Sequence, residues 1–206
     1  MTTVPTGGME MEMKMDLGSS DDPAFPLRYD LIRHLDDLRA RTYEGAESRA
    51  DREATFERAV QLLSPVVMTE LDLTSARFLD GTGDVSYEPT GDDGAGGRGA
   101  RWALSWPDQR RARDRSGGGL QPIWLIAKMT ATNLHGHLSG SRAGDWPMQI
   151  TSSSDAERQQ PLLRIIIESE LHQRIFDAGG DWRIVTTYAR RRSASTSTNG
   201  ESRPPV

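Results

Sequence analysis

The sequence predicts an α+β domain in which helices come first, a tryptophan-bearing sheet follows, and one more helix precedes a closing strand. Three observations predict it. Apolar residues recur at helical spacing before residue 78 and again after residue 160. Between these regions, short β-like segments alternate with turn residues. The five tryptophans all lie in or next to predicted strands.

Length and composition favour a single domain. The chain has 206 residues, of which 35% are hydrophobic and 6% are aromatic. This is lean for a chain of that size, so part of it is expected to stay out of the core. We predict a disordered N-terminal arm over residues 1–25, one α+β domain over 26–188, and a disordered tail over 189–206.

The N-terminal third predicts a helical hairpin. Leu27, Leu31, Leu35 and Leu38 form one stripe at spacings of four, four and three, which indicates an amphipathic helix over about residues 27–42. Helical spacing resumes at Phe56. Because proline lacks the amide hydrogen, Pro65 is expected to end or kink this second helix, which then continues to about residue 78.

The middle of the chain predicts a mainly antiparallel sheet of about five strands. Four segments have β-like composition, and a fifth closes the domain. The predicted strands are residues 85–88, 102–106, 122–130, 146–151 and 182–188. Polar loops over residues 91–99 and 108–119 interrupt them, and the second loop is expected to start with a short helix over residues 108–115.

The helix before the closing strand has the strongest pattern. Pro161 suits the first turn of a helix, and Leu163, Ile167, Leu171 and Ile175 follow at a spacing of four. Gly179 and Gly180 are typical of the residues that end a helix. The sequence therefore predicts one amphipathic helix from residue 161 to about residue 178.

Charge and cysteine content exclude several functions. The net charge of −5 gives no general attraction to nucleic acid or to an anionic membrane. The absence of cysteine excludes disulfides, thiolate metal sites and cysteine nucleophiles. No apolar stretch is long enough for a membrane helix, and no signal peptide is visible. We expect a soluble, cytoplasmic protein.

Histidine spacing suggests one chemical site. His135 and His137 would point to the same side of an extended segment, as pairs of metal-binding imidazoles do. Glu168 and His172 are four residues apart on the last predicted helix. If the helix met the loop, these four residues could hold a divalent metal such as Zn, Fe or Mn. The alternative is two solvated histidines and a salt-linked row of Arg164, Glu168 and His172.

Large aromatic residues suggest where a ligand or partner could bind. Tryptophans on a sheet are mostly core residues, but they also form pocket walls and interfaces. The candidates for a pocket or interface are Trp102, Trp106, Trp124, Trp146 and Arg164.

No motif for a hydrolase, a nucleotide-binding loop or a zinc protease is present. Two functions remain, and the sequence does not decide whether the chain is an enzyme. The first is an accessory or assembly subunit of a larger cytoplasmic complex, with a protein partner or a second copy. The alternative is a small metal-dependent or histidine-based enzyme, or a small-molecule-binding domain, with a cleft between the sheet and the C-terminal helix. We favour the first because it requires no convergence of distant residues.

Overall fold

A computed structural model describes the backbone of residues 25–92, 94–142 and 144–188, and side chains from residue 28 onward. The predicted tail and all but the last residue of the predicted arm lie outside these ranges. Two helices come first, α1 (Phe25–Ala40) and α2 (Arg49–Phe78). Three more follow later in the chain: α3 (Pro107–Arg111), α4 (Ser153–Arg158) and α5 (Gln160–Asp177).

The five strands form one antiparallel sheet in chain order, which confirms the predicted fold class. They are β1 (Asp84–Asp92), β2 (Arg98–Ser105), β3 (Ile123–Met129), β4 (His137–Gly140) and β5 (Trp146–Pro147). One member differs from the prediction. The fifth strand was expected at residues 182–188. The structure has β4 instead, which begins in the predicted histidine loop.

The core lies between one face of the sheet and the two long helices. α2 and α5 pack on each other, and both contact the central strands. Along β3, buried residues alternate with half-buried ones, as expected for a strand with one covered face. In α5, Leu163, Ile167 and Leu171 are buried. Gly179 and Gly180 follow this helix with φ of 72° and 86°, conformations that favour glycine.

Pro65 neither ends α2 nor divides it. The helix has 30 residues and continues through the proline. It begins after the cap residue Ser48, whose side chain accepts a hydrogen bond from the amide of Asp51. One proline removes one backbone hydrogen bond. Buried residues on both sides of it, from Phe56 to Leu71, attach the helix to the core. Packing therefore outweighs the local preference.

The prediction of a closing strand is wrong. Trp182–Ile184 form a 3₁₀ helix, and residues 186–188 are helical as well. Ile184 and Val185 are both buried, whereas neighbours in a strand would point to opposite faces. The indole of Trp106 donates to the carbonyl oxygen of Ile184 at 2.7 Å, which anchors the turn.

No helix in the described part of the chain is both long enough and apolar enough to cross a membrane.

Candidate functional site

Helix α1 faces the body of the protein with its polar side. Asp30, His34 and Asp37 are 3%, 9% and 9% exposed. The leucine row, which we define as Leu31, Leu35 and Leu38, is 48%, 54% and 46% exposed. An amphipathic helix normally does the reverse. The three leucines of the predicted stripe whose side chains the structure describes therefore lie on the outer surface of the helix.

Long-range hydrogen bonds hold the polar side in place. The amide of Gln159 donates to Asp30 at 2.6 Å, and the amide of Gln149 donates to Asp37 at 2.8 Å. Arg33 donates to the carbonyl oxygen of Gln149 at 3.2 Å and also contacts Glu44. Gln149 lies just before α4 and Gln159 just after it, both more than 100 residues from α1 in the chain.

The two buried aspartates of α1 differ in their electrostatics. Burial raises the pKa of Asp30, because it outweighs the hydrogen bond from Gln159. Burial acts in the same direction on Asp37, but hydrogen bonds from the amide of Glu44 and from Gln149 and Thr42 lower its pKa overall. The protein therefore stabilises the ionised form of Asp37 better than that of Asp30.

Three histidine rings lie together on the buried side of α1, one of them from α1 itself. The ring of His34 lies 5.1 Å from that of His135 and 5.3 Å from that of His137, both edge to face. We call these residues the histidine cluster. The Nδ1 atoms of His34 and His135 are buried and have no hydrogen-bond partner among the described residues. Burial lowers the pKa of both imidazoles, which favours the neutral form.

The glycine of the His135-Gly136-His137 segment is needed for packing. A Cβ at Gly136 would collide with the hydroxyl of Tyr43 and come within 3.1 Å of Phe56. Tyr43 is fully buried, and its hydroxyl donates to the carbonyl oxygen of Met148 at 2.8 Å. This close contact positions both histidines beside α1.

The four predicted metal ligands are not brought together. His135 and His137 contact His34, whereas Glu168 and His172 line a groove formed with other residues. Within the described ranges, no group of three or more histidine, aspartate or glutamate side chains is placed to hold a metal ion. The predicted Arg164–Glu168–His172 row is also divided: Arg164 pairs with Glu70 at 3.1 Å, and Glu168 lies 3.7 Å from Arg77.

The C-terminal groove, as we name it, has a volume of about 500 Å³. It lies between the end of α2, one side of α5 and the segment after α5. Most of its lining is apolar or aromatic; the lining residues are Phe78, Glu168, Leu171, His172, Ile175, Trp182, Val185 and Tyr188.

A second pocket, of about 440 Å³, lies between the sheet and the end of α5, where a cleft was expected. Trp124, Arg142 and Arg174 are among its lining residues. Its charges at Arg142 and Arg174 are already matched within the protein. Buried Arg174 pairs with Glu170 at 2.6 Å and with Asp177 at 3.1 Å, and Arg142 pairs with Asp177 at 2.9 Å. This pocket therefore resembles a structural ion-pair network more than a binding site.

The other candidate tryptophans have different environments. Trp102 and Trp106 are fully buried in the core. Trp124 is half-buried beneath the guanidinium of Arg101, 4.3 Å from its ring centre. Trp146 is 37% exposed on β5. Two of the four tryptophans proposed for a pocket or interface are therefore inaccessible to a ligand or partner.

Sequence reasoning missed His34 as a member of the histidine cluster. Its signal was present: Asp30, His34 and Asp37 are spaced by four and three residues, the same spacing as the leucine row. Both faces of α1 were thus periodic, and only one was recognised.

No protein-family model, curated protein or solved structure matches this chain.

Proposed function

We propose that the protein is an accessory or assembly subunit of a larger complex, and that it docks onto its partner through the leucine row of α1. The observation that carries this proposal is the orientation of the helix. Three leucines are about half exposed, while aspartate and histidine side chains on the same helix are buried. Contiguous apolar groups on a surface are typical of interaction sites.

The spacing of the row suits a helical partner. Leu31, Leu35 and Leu38 are separated by four and three residues, as are the apolar seam positions of a coiled coil. The polar contacts of Asp30 and Asp37 hold the helix in one orientation before any partner arrives. A fixed helix loses less conformational entropy on binding, which favours affinity.

The charges beside the row favour a partner with acidic residues. Arg39 lies in the last turn of α1 and is exposed, as is Arg41 just beyond it. Asp36 is an exposed acid on the same helix. Local charge is therefore net positive on a chain whose overall charge is −5. The partner that fits is an amphipathic helix whose apolar row is bordered by aspartate or glutamate.

Site-specific photocrosslinking tests the proposal. A photoreactive phenylalanine is placed at Leu31, Leu35 or Leu38 in the full chain, which is expressed in its native cells. Ile165 on α5 is the matched control, because it is 58% exposed but lies outside the row. We expect one discrete adduct from the row positions and none from position 165. Mass spectrometry should locate the adduct in an acid-bordered amphipathic helix of another protein.

Other outcomes would overturn the proposal. Equal adducts from all four positions would indicate non-specific apolar contact. A cross-linked dimer of this chain would show that the row joins two copies instead of binding a different protein. No adduct at all would indicate that the row has no partner in the cell.

A further inference from the structure

The C-terminal groove has no residue of α1 in its lining, and two of its walls are exposed aromatic rings. Trp182 and Tyr188 are 42% and 52% exposed. Their ring centres are 5.6 Å apart and their planes meet at 83°. The two rings therefore form a corner, and Phe78 adds a third aromatic residue to the lining.

The corner is held in place by three hydrogen bonds, two to the start of α3 and one to the turn after α2. The indole of Trp106 binds the carbonyl oxygen of Ile184. The hydroxyl of Thr186 donates to Asp108 at 3.0 Å, and the hydroxyl of Thr187 accepts from the amide of Asp80 at 3.0 Å. Because these residues lie between Trp182 and Tyr188, both rings are positioned without a ligand, which reduces the entropic cost of binding.

A carboxylate lies at the same groove. The side chain of Glu168 is 47% exposed and lies 3.7 Å from Arg77, whose side chain is 57% exposed. Ion pairs this exposed contribute little, so another cation can compete for Glu168. His172 lies one helical turn further along α5 and also lines the groove. Aromatic faces beside a carboxylate are the groups that recognise organic ammonium ions.

We propose that the C-terminal groove binds an organic cation: an apolar molecule carrying a substituted ammonium group. The ammonium group faces Trp182 and Tyr188 and is balanced by Glu168, while the apolar body contacts Leu171 and Ile175. A volume of about 500 Å³ lies within the range of small-molecule sites. This site is independent of the leucine row and of any protein partner.

Two probes of nearly the same shape test the role of charge. Phenyltrimethylammonium carries the positive charge, and tert-butylbenzene is its neutral counterpart. Binding to the full chain is followed by titration of the indole N–H resonances in NMR spectra at low salt. We expect the cation to shift the Trp182 resonance and to bind at least fivefold more tightly than the neutral probe. Equal binding of both probes, or no binding of the cation, would overturn the proposal.

Four variants then assign the contacts. We expect Trp182→Leu and Glu168→Gln each to weaken cation binding about threefold to tenfold. Arg77→Ala should strengthen it about twofold to fivefold, because it removes the competing guanidinium. Trp146→Leu is the matched control, an exposed tryptophan outside the groove, and should have no effect. If Trp182→Leu fails to fold, Tyr188→Leu replaces it, followed by the Trp182 resonance. Weaker binding in Arg77→Ala, or unchanged binding in Glu168→Gln, would contradict the role given to the carboxylate.

Discussion

Helices α1 and α5 have similar apolar rows but opposite orientations. In α5, Leu163, Ile167 and Leu171 are buried. In α1, the leucine row is on the outer surface, and Asp30, His34 and Asp37 face inward. Periodicity thus shows that a helix has two different faces, but it does not show which face is covered.

The residues opposite each helix explain the difference. The row of α5 meets the apolar side chains of α2 and β3. α1 instead meets the amides of Gln149 and Gln159 and the imidazoles of His135 and His137. Buried aspartates are tolerated there because these amides donate hydrogen bonds to them. The orientation of α1 was therefore decided by residues more than 100 positions away in the chain.

The largest expected contrast concerns stability. Ile167→Ala removes a fully buried side chain and should lower the free energy of unfolding by about 2–5 kcal/mol. Leu35→Ala changes a residue that is 54% exposed and should alter it by no more than about 0.5 kcal/mol. Urea denaturation of the two variants makes the comparison. A loss of several kcal/mol in Leu35→Ala would mean that the leucine row belongs to the core.

A smaller effect tests the acidic cap at the start of α4, which lies beside α1. Asp155 accepts from Thr151, Ser152 and Arg158 and lies 3.7 Å from Arg33 of α1. Burial opposes ionisation, but these hydrogen bonds lower the pKa of Asp155 to about 2. Because the folded pKa is below the ordinary value of 3.8, the contribution to stability is present above pH 4 and is lost as pH falls towards 2.

We therefore expect Asp155→Asn to reduce the free energy of unfolding by about 2 kcal/mol at pH 7 and by about half as much at pH 3. Urea denaturation at both pH values gives the two differences. Asp145→Asn is the control, since its side chain is 48% exposed and pairs with Lys128 at the surface. Its effect should stay below about 1 kcal/mol. A pH-independent loss in Asp155→Asn would show that the charge of Asp155 is not responsible.

Much of the fold could be predicted from sequence because its signals are local. The apolar residues at a spacing of four and the two terminal glycines predict α5. Short β-like segments predict four of the five strands. β4 was missed because its four residues include His137 and Gly140, neither of which favours a strand. The closing strand was predicted wrongly because β-branched composition does not distinguish a strand from a buried turn.

The candidate sites were less predictable, because each depends on distant partners. His135 and His137 were recognised as a pair, yet their neighbour proved to be His34, about 100 residues earlier in the chain. Glu168 and His172 were placed correctly on one helix. Trp182 and Tyr188 line the same groove only because the segment after α5 folds back towards that helix. Spacing along the chain does not contain that information.

Thiol labelling measures which face of α1 is exposed to solvent. The chain has no cysteine, so His34→Cys and Leu35→Cys each carry a single thiol. The two positions are adjacent, but the first is on the buried face of α1 and the second is on the exposed face. Each variant is labelled with a maleimide in dilute native buffer, after circular dichroism has shown that it is folded. We predict that position 35 reacts at nearly the rate of the unfolded chain and that position 34 reacts at least tenfold more slowly. Faster labelling at position 34 than at position 35 would show that the histidine face of α1, and not the leucine row, is exposed.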